Sequence, residues 1–423
     1  VRREAGRAAL ILLHRWVGLV LAAFLVVLGL TGGILAFEDE LDAWLSPQLR
    51  LAEPPAPGSP MLDADELAYR AQAALPRAQI SQLPLQRPPG RSVRMRVYPR
   101  VDPGTGRPFV LDYNEAFFDP YDARLLGTRM WGELQWDRTA LVGFVYRLHS
   151  MLALPPSWGR LLLGVLALVW TLDCVVGLLL TFPRSRPGRG VRLRAWFSRW
   201  MPAWSVKFGA SLFRLNLDLH RASGLWLWLL LLMFAWSSVM FTLRDQVYLP
   251  VMSRLVTFND PLRSMPARPG GAMAGTMDWT AALQAGRAHA RALARRHGWR
   301  IQEETLLALA RPKGVYSYWI HTDLDIRDGD GATGVVFDAA SGALTGVVLP
   351  RDPTAAGNAF NQWMYGLHMA QVFGLPYRIL VLLAGLATAM LSVTGVIIWW
   401  RKRAARRHAA RAAASAAARR IAR

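Results

Sequence analysis

Residues Leu13-His14-Arg15-Trp16-Val17-Gly18-Leu19 open a stretch that carries no charge from Trp16 to Phe37. With each helical residue rising 1.5 Å, ~20 apolar residues cross a hydrocarbon core, so this stretch reads as a membrane span with His14 and Arg15 at its mouth. It is longer than the apolar core of a signal peptide, and it runs directly into Glu38-Asp39-Glu40 without a small-residue cleavage pattern, so it is expected to stay in the chain. Three further runs are nearly free of charge: Leu161–Phe182, Gly224–Leu243 and Ile379–Trp400. The sequence therefore predicts four transmembrane helices.

The charge distribution orients them. The net charge of +21 would point to nucleic acid in a soluble chain. Here residues 1–15, 183–221 and 401–423 hold 22 Lys and Arg against two acids, Glu4 and Asp218, whereas 38–148 and 244–367 together hold 26 charges of each sign. Basic residues in short connections mark the cytoplasmic side, so both termini are expected in the cytoplasm and the two long balanced segments outside. Topogenic arginines account for the charge, and no nucleic-acid partner is needed. The single cysteine, Cys174, excludes an internal disulfide, a Cys-x-x-Cys-His haem attachment and a thiolate cluster.

The chain also reads twice. Leu13-His14-Arg15-x-x-Gly18-Leu19 returns as Leu219-His220-Arg221-x-x-Gly224-Leu225. Phe118-Asp119 with Leu125 and Gly127 returns as Phe337-Asp338 with Leu344 and Gly346, and Tyr146-x-Leu148-His149 returns as Tyr365-x-Leu367-His368. Arg160 and Gly177 correspond to Arg378 and Gly395 with a one-residue gap. Both halves enter from the same side, so the predicted architecture is two parallel repeats about an axis along the membrane normal.

The expected plan follows. Residues 1–37 are the cytoplasmic N-terminus and first span, and 38–148 the first exterior domain. Residues 149–182 are an outer-face histidine segment and second span, and 183–223 a basic cytoplasmic loop. Residues 224–243 are the third span, 244–367 the second exterior domain, 368–400 a second outer-face histidine segment and fourth span, and 401–423 a basic tail. Each exterior domain reads as a small α+β module. In the first, a helix is expected from Asp63 and strands at Val93–Tyr98, Phe109–Tyr113 and Ala116–Phe118. In the second, a helix is expected at Trp279–His297 and strands at Val315–His321 and Thr333–Phe337.

Four of the eight histidines obey the repeat. The axis brings His14 opposite His220 at the cytoplasmic mouths of the spans, and His149 opposite His368 on the outer side. Two imidazoles facing across a bundle axis suit a metal with two trans axial ligands, which is haem iron, whereas zinc needs further donors at the same depth. Without a thioether attachment, non-covalent b-type haem is expected, two per chain. Gly18 and Gly224, each four residues after a candidate ligand, leave room on the ligand's helical face. With both axial positions filled, electron transfer is the natural role.

These motifs and the four-span plan resemble the PepSY-associated transmembrane helix family over roughly residues 8–403. The resemblance implies PepSY-like periplasmic domains and an inner-membrane ferric-siderophore reductase carrying two haems, with His14, His220, His149 and His368 as ligands.

Other residues carry weaker signals. Arg160 and Arg378 suit either haem propionates or interfacial anchoring. Asp173, twelve residues into an apolar run, is expected to be protonated, paired or facing the bundle, as a proton relay, on the propionate side of a haem or bonded to a neighbouring helix. The run Asp323-x-Asp325-x-x-Asp328-x-Asp330 lacks EF-hand spacing and reads as a turn rather than a cation loop, with His321 beside it as a residue that could help hold an iron chelate. Trp196, Trp200, Trp204 and Trp399-Trp400 read as interface anchors, and the tail after Arg401 as a basic helix on anionic lipid. No Gly-x-Gly-x-x-Gly follows a strand, so electrons are expected from quinol or a separate cytoplasmic reductase. The acceptor, a ferric chelate, is expected in a cleft between the two exterior modules. Rival readings are a non-catalytic regulator or binding module for an envelope protein and, more weakly, a transporter, which the expectation of unbroken spans disfavours.

Overall fold

The computed structural model describes residues 2–183, 193–267 and 276–421; the stretch 184–192 of the expected basic loop and the last two residues of the tail lie outside the described residues. In chain order the helices are α1 (Arg2–Leu35), α2 (Glu38–Leu45), α3 (Pro47–Arg50), α4 (Ala64–Ala73), α5 (Arg138–Met151), α6 (Pro156–Thr181) and α7 (Leu193–Trp200). They continue with α8 (Leu212–Trp226), α9 (Trp228–Thr242), α10 (Leu249–Met252), α11 (Pro261–Ser264), α12 (Trp279–His297), α13 (Ala356–His368) and α14 (Gly374–Ile421). The strands are β1 (Ala78–Pro84), β2 (Val93–Pro99), β3 (Glu115–Phe118), β4 (Leu125–Arg129), β5 (Ile301–Ala310), β6 (Val315–Thr322), β7 (Thr333–Asp338) and β8 (Leu344–Val348). They form two compact units, one helical (Val1–Ala36, Leu148–Tyr248, Ile379–Arg423) and one built on a sheet (Phe37–Arg147, Leu249–Arg378).

In the helical unit, α1, α6 and α14 contain runs long and apolar enough to cross a membrane. The expected third span is not a single rod. Helices α8 and α9 meet at Leu227 with a 67° bend, which corrects the expectation of unbroken spans. The two tryptophans flanking Leu227 are held by different segments. The Trp226 indole donates to the Trp204 carbonyl (3.0 Å), and the Trp228 indole donates to the Cys174 carbonyl (2.9 Å), so neighbouring side chains are tied to separate segments. The bend falls near the start of the apolar run, not at its middle, where the broken helices of transporters hold substrate. The tail after Arg401, expected as a basic helix, is helical to Ile421 and continues α14 without a break.

Small residues set the helix spacing, as expected where lipid offers no hydrophobic drive for association. A Cβ on Gly29 of α1 would stand 2.6 Å from the Gly385 carbonyl oxygen of α14, and one on Gly33 3.1 Å from a Leu382 methyl. Beside this close crossing, Leu21 of α1 packs with Leu163 and Leu166 of α6.

The sheet unit differs from the expected pair of separate modules. Its eight strands form one antiparallel sheet in the order β4-β3-β2-β1-β5-β6-β7-β8, because β1 pairs with β5 through Gln82 and Ala308, Leu83 and Leu307, and Pro84 and Leu306. Helices α4 and α12 pack against it: Leu67, Ala68 and Ala71 of α4 and Ala282, Leu283 and Ala290 of α12 share a core with Ile80, Met95, Tyr316 and Tyr318. The Asp278 carboxylate starts α12 by accepting from the Ala281 amide (2.8 Å), and Gly298, at φ +75°, ends it. Phe109–Tyr113 forms no strand, whereas β1, β4, β5 and β8 are strands beyond those expected.

The hairpins β3–β4 and β7–β8 pair in the same register 219 residues apart, and the irregularity between Phe117 and Phe118 returns between Val336 and Phe337. The repeated glycine has a packing reason in each. A Cβ on Gly127 would stand 2.6 Å from a Leu49 methyl of α3, and a Cβ on Gly346 2.6 Å from Pro261 Cβ of α11. A short proline-initiated turn of helix lies over each strand, and only glycine lets it that close. In β3–β4 the buried Arg129 further binds Asp42 (2.7 Å) and Glu115 (2.9 Å), tying α2 to the sheet.

The acidic run lies between β6 and β7, and its Asp325 is held within the turn. The Asp325 carboxylate accepts from the Ala332 amide (2.7 Å), the Thr333 hydroxyl (2.9 Å), the Thr322 hydroxyl (3.1 Å) and His321 Nδ1 (3.0 Å). His321 Nε2 donates to the Gly329 carbonyl. With both ring nitrogens donating, His321 titrates above its ordinary value of 6.5, mainly through its bond to Asp325. Burial works against the Asp325 charge, yet the bonds from His321, Ala332 and Thr333 hold its carboxyl below the ordinary 3.8. Where the two halves of the sheet meet, Gln86, Gln302, His321, Arg327 and Asp328 line an open cleft of 380 Å³.

Two outcomes follow for the full chain in detergent. Gly346→Ala should destabilise the protein by about 1–3 kcal/mol, because the proline ring cannot yield, and Gly127→Ala by less, because a leucine methyl can; equal losses in thermal unfolding would contradict this. The raised His321 pKa contributes stability that is complete below 6.5 and lost as pH rises through the folded-state value, and the lowered Asp325 pKa contributes stability above 3.8 that is lost in acid. The thermal midpoint should therefore be highest between those values, and His321→Gln should flatten its alkaline fall; an unchanged alkaline fall would contradict the pairing.

Candidate functional site

Helix α1 carries His14 and α8 carries His220, and the structure brings the two rings together within the helical unit. Their centres are 6.2 Å apart and their planes are inclined by 59°. Each ring is held through Nδ1. His14 Nδ1 lies 2.9 and 3.1 Å from the two carboxylate oxygens of Asp173 on α6. His220 Nδ1 lies 3.0 Å from the Leu391 carbonyl oxygen and 3.0 Å from the Thr394 hydroxyl oxygen on α14. Carboxylate and carbonyl oxygens only accept, so in each neutral ring the proton resides on Nδ1 and the lone pair on Nε2. The glycines that correspond under the repeat give each ring its place: a Cβ on Gly177 would lie 3.5 Å from His14 Cε1, and a Cβ on Gly395 3.2 Å from His220 Cε1.

This arrangement fits haem iron. Metal–imidazole bonds of about 2 Å to both Nε2 atoms place ring centres about 6 Å apart, and a rotation about the shared axis leaves the interplanar angle free. Metal-ligating histidines commonly give the remaining N–H to a carboxylate or carbonyl, as both rings do here. A Cβ on Gly18 would meet nothing within 4 Å, and one on Gly224 only a Leu391 methyl at 3.7 Å, so the face next to the rings is uncrowded. Among the described residues no group of three or more His, Cys, Asp or Glu is arranged to hold a metal ion.

His149 lies near the end of α5 and in the same unit. Its Nδ1 is 3.0 Å from the Thr31 hydroxyl oxygen, and that hydroxyl donates to the Val27 carbonyl (2.7 Å), so it accepts from the ring. Gly32 makes room: a Cβ there would stand 2.9 Å from His149 Cε1. Helix α1 thus touches His149 seventeen residues beyond His14, about 26 Å along its axis. His368 closes α13 in the sheet unit, so its pairing with His149 rests on the sequence correspondence. The backbone is strained after both outer histidines. Of five described non-glycine residues with positive φ, Leu152 and Ala153 follow His149, and Ala370 and Phe373 follow His368. Such conformations gather at functional sites.

The two arginines do not behave alike. The Arg378 guanidinium is paired with Glu40 and lies 4.6 Å over the Phe37 ring, so its fork is already filled, whereas Arg160 is exposed in the first turns of α6. Thr31, Gly32, Gly177, Thr394 and Gly395 are the site residues that the spacing of the histidines alone did not reveal. Gly177 and Gly395 were visible as a repeat match, without a role. Asp173 was visible as a carboxylate out of place, without its partner.

Among curated proteins none matches the chain. A family model does: that of the PepSY-associated TM region matches residues 11–402, which takes in all four repeat-related histidines. The chain, a membrane protein by its helices, belongs to the PepSY-associated TM region family.

Proposed function

We propose that this protein is a di-haem b electron-transfer protein of a bacterial inner membrane that reduces a ferric chelate, a ferric siderophore, on the periplasmic side. In this reading four spans form two parallel repeats, with the α8–α9 pair as one span, both termini cytoplasmic and the sheet unit outside. The observation that carries the proposal is the His14–His220 pair, two rings 6.2 Å apart whose Nδ1 atoms are both committed to acceptors.

A b-type haem held by His14 and His220 would supply one-electron chemistry, which suits electron transfer. The chain's own residues do the rest. His14 and His220 hold the inner group and His149 and His368 the outer one. Asp173, Thr394 and Thr31 fix ring orientation, and the glycines beside the rings keep space for them. Electrons enter from quinol or a separate cytoplasmic reductase. One electron delivered to the chelate converts ferric to ferrous iron, which oxygen-rich chelators hold far more weakly. The cleft at the join of the two half-sheets offers Gln86, Gln302, Arg327 and Asp328 as hydrogen-bonding groups for a polar chelate.

Anaerobic stopped-flow mixing tests this function. Dithionite-reduced protein should be reoxidised by a ferric hydroxamate siderophore, with ferrous iron captured by ferrozine. His149→Ala or His368→Ala should abolish the reaction while one haem stays reducible. Failure of every ferric chelate to reoxidise the protein, with rapid reoxidation by a quinone, would contradict the chelate assignment.

A further inference from the structure

The inner pair is symmetric in sequence but not in chemistry. Position 173 on α6 corresponds to 391 on α14, and 176 corresponds to 394. Where α14 has Leu391 and Thr394, which offer His220 a carbonyl and a hydroxyl, α6 has Asp173 and Val176. His14 thus gives its Nδ1 proton to a carboxylate, through both oxygens, whereas His220 gives its proton to neutral groups. The Asp173 side chain is only 10% exposed, inside a run otherwise without charge. A carboxylate in that setting is costly unless it performs a task. Helix packing does not require it, because α14 holds the equivalent ring with no charge at all.

We propose that Asp173 is a positioning residue that makes the two axial ligands unequal: it fixes His14 with the proton on Nδ1, raises the donor strength of its Nε2, and so lowers the reduction potential of the iron that His14 binds. This rests on the haem reading above. The physical basis is that a carboxylate accepting from a ligand's N–H pushes electron density onto the metal-binding nitrogen and favours the ferric state, more than a neutral acceptor does. The centre nearest the electron donor would then be the stronger reductant of the two, which favours outward transfer.

Redox titration of the purified protein, with the haem count measured in parallel, tests the inference. Asp173→Asn keeps a hydrogen-bond acceptor and removes the charge. The pair Asp173→Leu with Val176→Thr copies onto α6 the neutral acceptors that serve His220. Both variants should retain two haems and shift one spectral component about tenfold toward the reduced state, about 59 mV for one electron, while the other component stays in place. Asp173→Glu should return the shifted component toward the wild-type value. Retention of both haems with neither component moved would overturn the inference and leave Asp173 as a tie between α1 and α6. Loss of the inner haem from both neutral variants would overturn it equally, by showing that the carboxylate is needed for binding. Absence of haem from the wild-type protein is a separate result, and it would count against the proposed function itself.

Discussion

A neutral imidazole has one proton and two nitrogens, so an acceptor fixed at Nδ1 decides what Nε2 is free to do. In the helical unit this constraint is met three times, by Asp173 for His14, by Leu391 and Thr394 for His220, and by Thr31 for His149. Each acceptor belongs to a helix other than the one carrying the ring. Helix spacing and ring orientation are therefore one problem. The glycines solve it: Gly32, Gly177 and Gly395 lie against the rings they accommodate, and Gly29, Gly33 and Gly385 bring α1 and α14 within backbone contact. Larger residues at those positions would move the helices apart and take the acceptors out of reach.

The sheet unit obeys a different rule. Its two halves carry matching hairpins, each with a glycine under a proline-started turn of helix and an aspartate after the last phenylalanine. Asp119 caps the amide of Tyr121, and Asp338 those of Ala340 and Ser341. Neither half buries its β1 or β5 edge alone. Pairing those edges closes both half-sheets into one continuous sheet and removes two exposed strand edges that would otherwise invite association.

Three of the apolar runs and the closeness of His14 to His220 were legible in the sequence because each depends on local chemistry: apolar runs of fixed length, and motifs returning in order. The joined sheet was not. Strand β1 is rich in Gln and Ser, and β5 runs Glu-Glu-Thr-Leu-Leu-Ala-Leu-Ala, residues that favour a helix by intrinsic preference, so their pairing is decided by the tertiary context. The bend at Leu227 was hidden for a similar reason. Trp226 and Trp228 lie in an apolar run that reads as one span, and the carbonyls that hold their indoles belong to distant segments. The acceptors at Nδ1 were half visible. Asp173 stood out by its charge, but Thr31 and Thr394 are unremarkable in membrane helices, and the Leu391 carbonyl has no side-chain signature at all.

The claim on which the account rests is that His14 and His220 ligate one iron. Low-temperature electron paramagnetic resonance of the oxidised, purified protein tests it most directly. Two low-spin ferric signals of bis-imidazole type are expected, with His14→Ala and His220→Ala each removing the same one and sparing the other. A wild-type protein without haem, or two variants that remove different signals, would contradict it.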